Sequence, residues 1–199
     1  VSGGHTQLVV VNDYNDFKKI GNTLDDAAGE AFDKTSKFLG LGYPGGPIID
    51  NLSKKGNPIF KFSKPKIKDY DFSFSGLKTS IIYFIKKELK ENSKFIEDNI
   101  NDLCSSIQHS IVEILVEKTI KCAIDLNIKQ ICIVGGVSAN SHLREKLNSE
   151  CLINKFDLFY PKINYCTDNA AMIAVSGYFN HLNKKFSDLD KVIDSRLSF

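Results

Sequence analysis

Glycine-rich turns alternating with acidic residues constrain this sequence more than any other feature. They are Val-Ser-Gly-Gly-His-Thr at Val1–Thr6, Gly-Glu-Ala-Phe-Asp-Lys at Gly29–Lys34 and Tyr-Pro-Gly-Gly-Pro at Tyr43–Pro47. Asp-Phe-Ser-Phe-Ser-Gly-Leu-Lys-Thr follows at Asp71–Thr79, then Val-Gly-Gly-Val-Ser-Ala-Asn at Val134–Asn140 and Cys-Thr-Asp-Asn-Ala-Ala at Cys166–Ala171. A glycine lets main chain approach a ligand with no Cβ in the way. Repeated beside fixed carboxylates, such points describe a nucleotide pocket assembled from several loops.

The segments between the turns alternate in type. Thr6–Asn12 and Phe17–Thr23 read as strands joined by a polar turn over Asp13–Asp16. Asp25 or Asp26 is expected to cap a helix that runs to Leu39, where Gly40 and Gly42 stop it. Pro47 suits the first turn of a helix reaching Lys54. Gly56–Tyr70 reads as a proline- and lysine-rich surface excursion. Helices are expected over Ser75–Leu89 and Ile96–Leu126, the second with a buried stripe of Ile100, Leu103, Ile107, Ile111, Ile114, Leu115 and Cys122. Gln130–Val134 and Leu158–Tyr160 read as short strands around a helix at Ala139–Glu150. A last helix over Asp168–Leu182 places Ala171, Ala174, Val175, Tyr178 and Leu182 on one face, and the tail from Lys184 is polar. Strand–loop–helix units imply an α/β protein whose sheet has covered faces, with ligand loops at the carboxyl ends of its strands.

At 199 residues the chain can build one sizeable core. No apolar run approaches the roughly 20 residues that span a bilayer, so no membrane association is expected. The five cysteines are scattered and form no Cys-x-x-Cys pair, which suits a reduced, cytoplasmic protein. The net charge of +2 does not demand a nucleic-acid partner. Lys54, Lys55, Lys61, Lys64, Lys66 and Lys68, with Lys86, Lys87 and Lys90 beyond, could meet a phosphate backbone or form an ordinary solvated surface. The chain begins without Met inside a strand-like segment, as a piece of a longer protein would.

Each motif has a plain and a functional reading. Ser2-Gly3-Gly4-His5 is a glycine hairpin or an anion nest. Asp33 is a solvated helix residue, paired with Lys37, or an acceptor for ribose hydroxyls. Gly45-Gly46, clamped by Pro44 and Pro47, is a structural turn or a helix start aimed at a ligand, with Asp50 one helical turn later. Gly135-Gly136 lacks the dinucleotide spacing; it is a generic strand-to-helix turn with Ser138 as cap, or a bed for adenine with Asn140 beside it. Asp168 is a helix cap or a hard oxygen ligand for a divalent metal. His5, His109, His142 and His181 are far apart in sequence, and none shows His-x-x-x-His spacing. No Ser-His-Asp or Cys-His set is visible, so no residue is identified as nucleophile or general base.

Together and in this order, these motifs resemble the bacterial TsaD family, tRNA N6-adenosine threonylcarbamoyltransferase, once labelled O-sialoglycoprotein endopeptidase. The similarity runs from Val1 through Ala174. It implies an actin-like, sugar-kinase/Hsp70-type fold of two lobes, of which residues 1–199 would be the second, with a closing helix near 168–182 and the first lobe absent. It implies transfer of a threonylcarbamoyl group from threonylcarbamoyl-adenylate to N6 of the adenosine 3′ of the anticodon. By the resemblance, Val1, Ser2, Gly3 and Gly4 would contact substrate, and Asp33, Gly46, Asn140 and Asp50 would hold the adenylate. Asp168 would ligate one iron or zinc ion, with two histidines supplied by the first lobe, and TsaB, TsaE and tRNA would be the partners. A kinase or O-carbamoyltransferase of the same fold, or a non-catalytic homologous module, would share many of these turns.

Overall fold

A computed structural model describes residues 1–14 and 16–192. Asn15, in the expected turn, and residues 193–199 of the polar tail lie outside the described residues. Strands β1 (Gln7–Asp13) and β2 (Asp16–Asn22) form an antiparallel hairpin with Gln7 opposite Asn22 and register slips after Leu8 and Val11. Five helices follow the hairpin in the order α1 (Ala28–Phe38), α2 (Gly45–Ser53), α3 (Ser75–Glu91), α4 (Phe95–Asp125) and, after strand β3 (Gln130–Cys132), α5 (Ser141–Asn154). Strand β4 (Asp157–Phe159) pairs with β3 in parallel, so β3, α5 and β4 form a βαβ unit. Helix α6 (Ala170–Leu182) is the last helix among the described residues.

The core is organised around α4. Leu103, Cys104, Ile107 and Ile111 are fully buried, and Phe32 of α1, Ile49 of α2, Leu77, Ile81 and Ile85 of α3, and Leu143 and Leu147 of α5 close around them. Each such side chain contributes about 1.5–3 kcal/mol by leaving water. Ser106 and Ser110 lie inside this helix because their hydroxyls donate to carbonyls one turn back, Asp102 O at 2.7 Å and Ser106 O at 2.8 Å. The expected stripe of α4 is buried except at Ile100, which is half-buried.

Several local expectations change in the structure. Asp25 does not cap α1. Its Oδ1 accepts from Phe74 N (2.8 Å) and Ser75 N (3.2 Å), and its Oδ2 from Ser73 Oγ (2.5 Å), so it caps α3. Asp26 instead lies between Lys34 and Lys78, each at 2.7 Å. The first turn of α1 is satisfied by Thr6 Oγ1, which accepts from Ala28 N (2.9 Å), and by Glu30, which accepts from Ala27 N (3.3 Å). The helix ends as expected, Gly40 and Gly42 taking φ of +76° and +92°.

The excursion after α2 has no regular structure over 57–70, yet it is anchored. Phe62 is buried, the Phe60 and Phe62 rings pack on Phe84, Lys64 pairs with Glu113 (2.5 Å), and Lys118 Nζ donates to Ile67 O (2.7 Å). Its aromatic residues turn inward and hold it against α3 and α4.

The expected single sheet is present as two small ones, hairpin and parallel pair, with no bond between β1 and β3 among the described residues. What joins them is Val1: its main-chain N donates to Val134 O (2.7 Å) and its carbonyl accepts from Val137 N (3.1 Å). Helix α6 also departs from expectation. None of its residues is buried, and Val175, Tyr178 and Leu182 are each more than half exposed. The anticipated apolar face is present but is not covered by the described residues. No described helix is long and apolar enough to cross a membrane, and all five cysteines are free. Burial pushes the Cys104 thiol up to about 12, which keeps it a neutral core group.

Candidate functional site

The turn at residues 2–5 is closed by its own serine. Ser2 Oγ accepts from His5 N (3.0 Å) and Gly4 N (3.3 Å), and Ser2 N donates to His5 O (2.8 Å). The turn is seated on the start of α1. Ser2 O accepts from Gly29 N (3.1 Å), and a Cβ on Gly29 would lie 2.7 Å from that same oxygen. Gly3 and Gly4 themselves are exposed, with nothing within 4 Å of a Cβ built on either.

Asp33 does not pair with Lys37. Its Oδ1 accepts from Gly45 N at 2.7 Å and so fixes the start of α2 to α1. Gly45 is a steric necessity, since a Cβ there would lie 2.6 Å from Phe32 O and 2.8 Å from Asp33 Cα. Gly46, one residue on, faces open space. Asp50 Oδ1 accepts from Ser141 N (3.2 Å) and Ser141 Oγ (2.7 Å), while Lys54 lies 3.5 Å from Oδ2. Asp50 thus ties α2 to the start of α5.

Asn140, not Ser138, is the cap of α5: its Oδ1 accepts from Leu143 N at 2.9 Å. A short 3-10 turn over Gly136–Ala139 precedes it. Asn140 Nδ2 donates to Gln108 Oε1 (2.7 Å), Gln108 Nε2 to Ser53 Oγ (2.8 Å), and Ser53 Oγ to Asp50 O (2.8 Å). This buried polar chain links α5, α4 and α2. Gly135 takes φ +90° where Val1 O crosses it, a position that a Cβ would occupy.

Arg144 joins the last motif to the rest. Its Nε donates to Ser138 O (2.6 Å), its guanidinium NH2 to Pro161 O (3.0 Å) and Cys166 Sγ (3.3 Å), and its plane lies over Tyr160, 4.5 Å from the ring centroid. A Cβ on Gly136 would lie 3.8 Å from Thr167 Cγ2. Asp168, next in sequence, is exposed, and Asn169 rather than Asp168 caps α6 by accepting from Ala171 N (3.1 Å) and Met172 N (3.3 Å).

The proposed site residues therefore sit on segments tied directly to one another: the turn 1–5 on α1 and on 135–137, α1 on α2, α2 on α5, and 138 on 161–166. Sequence reasoning missed the residues that make these ties, Gln108 and Arg144. Arg144 carried a signal, being one of two arginines in a lysine-rich chain with a planar fork that can serve several acceptors.

The arrangement offers open glycines at 3, 4 and 46, a helix N-terminus at α2 with its positive dipole end, and the half-buried carboxylate of Asp33, of which only Oδ1 is engaged by Gly45 N. It suits a flat, anionic ligand. Cys166, the one cysteine of the 161–168 segment, is buried against Arg144. Among the described residues no group of three His, Cys, Asp or Glu could hold a metal ion. Asp168 is a lone exposed carboxylate, so these residues do not by themselves fit a divalent ion.

The structure brings two histidines together that the sequence separates. The rings of His109 and His142 lie 5.7 Å apart, and His109 Nε2 is 3.3 Å from Glu113. Burial, then the neighbouring His109, lowers the pKa of His142. A folded pKa below the unfolded one means that the unfolded chain binds the proton better. Stability from neutral His142 is complete above the unfolded value of about 6.5 and is lost as pH falls. A second loss follows at lower pH. Burial alone would raise Asp26, but its bonds to Lys34 and Lys78 outweigh this and lower it, so its contribution erodes below about 3.8. Urea midpoints measured between pH 7 and 5 are expected to fall in the native chain and to stay nearly flat in His142→Asn.

Residues 1–175 match the family model described as TsaD: tRNA N6-adenosine threonylcarbamoyltransferase. Proteins named tRNA N6-adenosine threonylcarbamoyltransferase are 52% identical in Riemerella anatipestifer, over 98% of this chain and 58% of that protein, and 50% identical in Phocaeicola vulgatus, over 100% and 59%. A protein of that name in Thermotoga neapolitana is 50% identical over 89% of this chain and 53% of its own length. The chain thus spans little more than half the length of these relatives. With matched residues covering every segment of the site just described, the chain belongs to the TsaD family.

Proposed function

We propose that this chain is the second lobe of a two-lobed, actin-like cytoplasmic enzyme that transfers a threonylcarbamoyl group from threonylcarbamoyl-adenylate to N6 of the adenosine 3′ of the anticodon. The observation that carries this reading is the gathering of the glycine turns, Asp33, Asp50 and the 134–140 loop through direct contacts. In this reading the Val1–Gly4 turn lies against the substrate, and Gly46 at the start of α2 receives the phosphate. The second oxygen of Asp33 accepts from a ribose hydroxyl. Asn140 shapes the loop under the adenine, and Asp50 holds that loop to α2. Asp168 would supply one ligand of an iron or zinc ion whose other donors lie outside this chain.

The chemistry asks little of protein side chains. The exocyclic amine attacks the carbamoyl carbon, AMP leaves with the bonding electron pair, and the amine nitrogen loses a proton. The donor is already activated, so rate comes chiefly from orientation of the two reactants. Support for a further lobe comes from the length of the relatives and from α6, whose Ile173, Val175, Tyr178 and Leu182 are exposed.

Mass spectrometry of nucleosides from tRNA tests the proposal. A protein extended to the relatives' full length, given the adenylate, tRNA, TsaB and TsaE, is expected to form threonylcarbamoyladenosine. The 199-residue chain alone is expected to form none. Product from the isolated chain would refute the need for a first lobe, and its absence from the extended protein would refute the activity.

A further inference from the structure

We propose that the outward face of α3 is a contact surface for the RNA strand flanking the target nucleotide, with Lys86, Lys87 and Lys90 on phosphates and Tyr83 beneath a base. The proposal rests on the transferase reading above. Leu77, Ile81 and Ile85 bury one side of α3. At helical spacing the opposite side carries Gly76, Thr79, Tyr83, Lys86, Lys87 and Lys90. All of these are exposed, Tyr83 by 71%. Glu88 falls on the side of Leu77 and Ile81, and Glu91 borders the stripe one turn beyond Lys87, so the stripe is positive with one carboxylate at its end.

These lysines differ from the six that pair with carboxylates. Among the described residues they share their unpaired state with Lys37, Lys55, Lys61, Lys66 and Lys68; what sets them apart is their place around Tyr83 on one helix face. Lys34, Lys54, Lys64, Lys78, Lys121 and Lys146 all have carboxylate neighbours within 4 Å. Among the described residues no ion pair or side-chain hydrogen bond engages Lys86, Lys87 or Lys90, and no ring packs on Tyr83. An exposed aromatic ring set among unpaired cations is the arrangement that binds single strands, the ring stacking on bases and the cations following the backbone.

The placement also fits. Asp25 and Asp26, just ahead of α1, hold the start of α3 through Phe74, Ser75 and Lys78, and the start of α1 carries the Ser2–Gly3 turn. The stripe therefore begins at Gly76, beside Pro65 of the excursion and one turn from the tie to Asp25 and Asp26, and runs about 21 Å to Lys90. That distance covers several nucleotides of a loop whose one base enters the site.

Fluorescence anisotropy with an unmodified tRNA transcript tests this on the 199-residue chain. The triple variant Lys86→Gln, Lys87→Gln, Lys90→Gln is expected to bind about 10- to 100-fold more weakly at 0.1 M salt. It should also lose roughly 2 from the slope of log affinity against log salt, about 0.7 per contact. Tyr83→Ala is expected to weaken binding about tenfold with the slope unchanged. A charge-matched control, Lys155→Gln, Lys184→Gln, Lys191→Gln, should keep both affinity and slope, and circular dichroism should show all variants equally folded. Three results overturn the proposal: no tRNA binding by the native chain, equal losses in the control, or unchanged affinity in the α3 triple variant. In the last case, altered association with TsaB or TsaE would reassign the face to an acidic protein surface. The transfer assay separates the two ideas, since the extended protein can form product while the α3 triple variant binds tRNA normally, or the reverse.

Discussion

Replacing Arg144 with alanine is expected to lower the thermal midpoint by roughly 6–12 °C and to weaken nucleotide binding as well. The guanidinium serves Ser138 O, Pro161 O and Cys166 Sγ at once and stacks on Tyr160. Bonds from a charged donor are worth about 1.5–3 kcal/mol each. Its removal leaves Ser138 O without this donor and Pro161 O with only the long contact from Cys166 Sγ (4.0 Å), so a net loss of about 3 kcal/mol is expected, at 2–4 °C per kcal/mol for a chain of this size. The segment 161–168 would then lose its tie to the 134–140 loop, and Asp168 its fixed position. Lys is a poor substitute because one ammonium cannot match the planar fork. Arg144→Lys should recover less than half of the lost stability by differential scanning fluorimetry. Full recovery would show that charge alone, not the shared geometry, holds the two loops.

The second large effect separates neighbouring glycines. Gly45→Ala is expected to cost about 2–4 kcal/mol, because its methyl would enter the main chain of α1 at Phe32 O and Asp33 Cα, and relief requires α1 and α2 to move apart. That movement also breaks the bond from Gly45 N to Asp33. Gly46→Ala meets nothing within the chain, and Ala favours a helical position by up to about 1 kcal/mol over Gly. The fold should be unharmed or slightly more stable. If a ligand lies against that open side, Gly46→Ala should reduce AMP affinity at least tenfold with no fall in thermal midpoint. Equal destabilisation by both variants would contradict the difference in their surroundings. Undiminished AMP binding by Gly46→Ala would remove Gly46 from the site.

Much of the element order was legible because the punctuation is strong. Gly40 and Gly42 stop α1, the Ile and Leu repeat marks α4, and alternating short strands and helices mark the βαβ unit. Capping was read less well. Asp25 and Asp168 stand just ahead of helices in sequence and a local reading makes each a cap of its own helix, while Asp33 and Asp50 lie inside helices and read as solvated or ligand-facing. In the structure Asp25 caps α3, Asp33 holds α2 and Asp50 holds α5, each across a long separation. A carboxylate's two oxygens find whichever N–H groups tertiary packing brings near, and sequence spacing does not encode that. The amphipathic pattern of α6 was legible, but not what it faces, since periodicity defines an apolar face and says nothing of its cover. The same limit hid Gln108, a polar residue on a buried helix whose role depends on Ser53 and Asn140 arriving from elsewhere.

Titrating the 15N-labelled chain with AMP and following the glycine amides asks most directly whether one ligand touches all these turns. Gly3, Gly4, Gly46 and Gly136 should shift together and yield a single shared dissociation constant. Shifts restricted to one turn, or unrelated constants at the different glycines, would contradict a common nucleotide pocket.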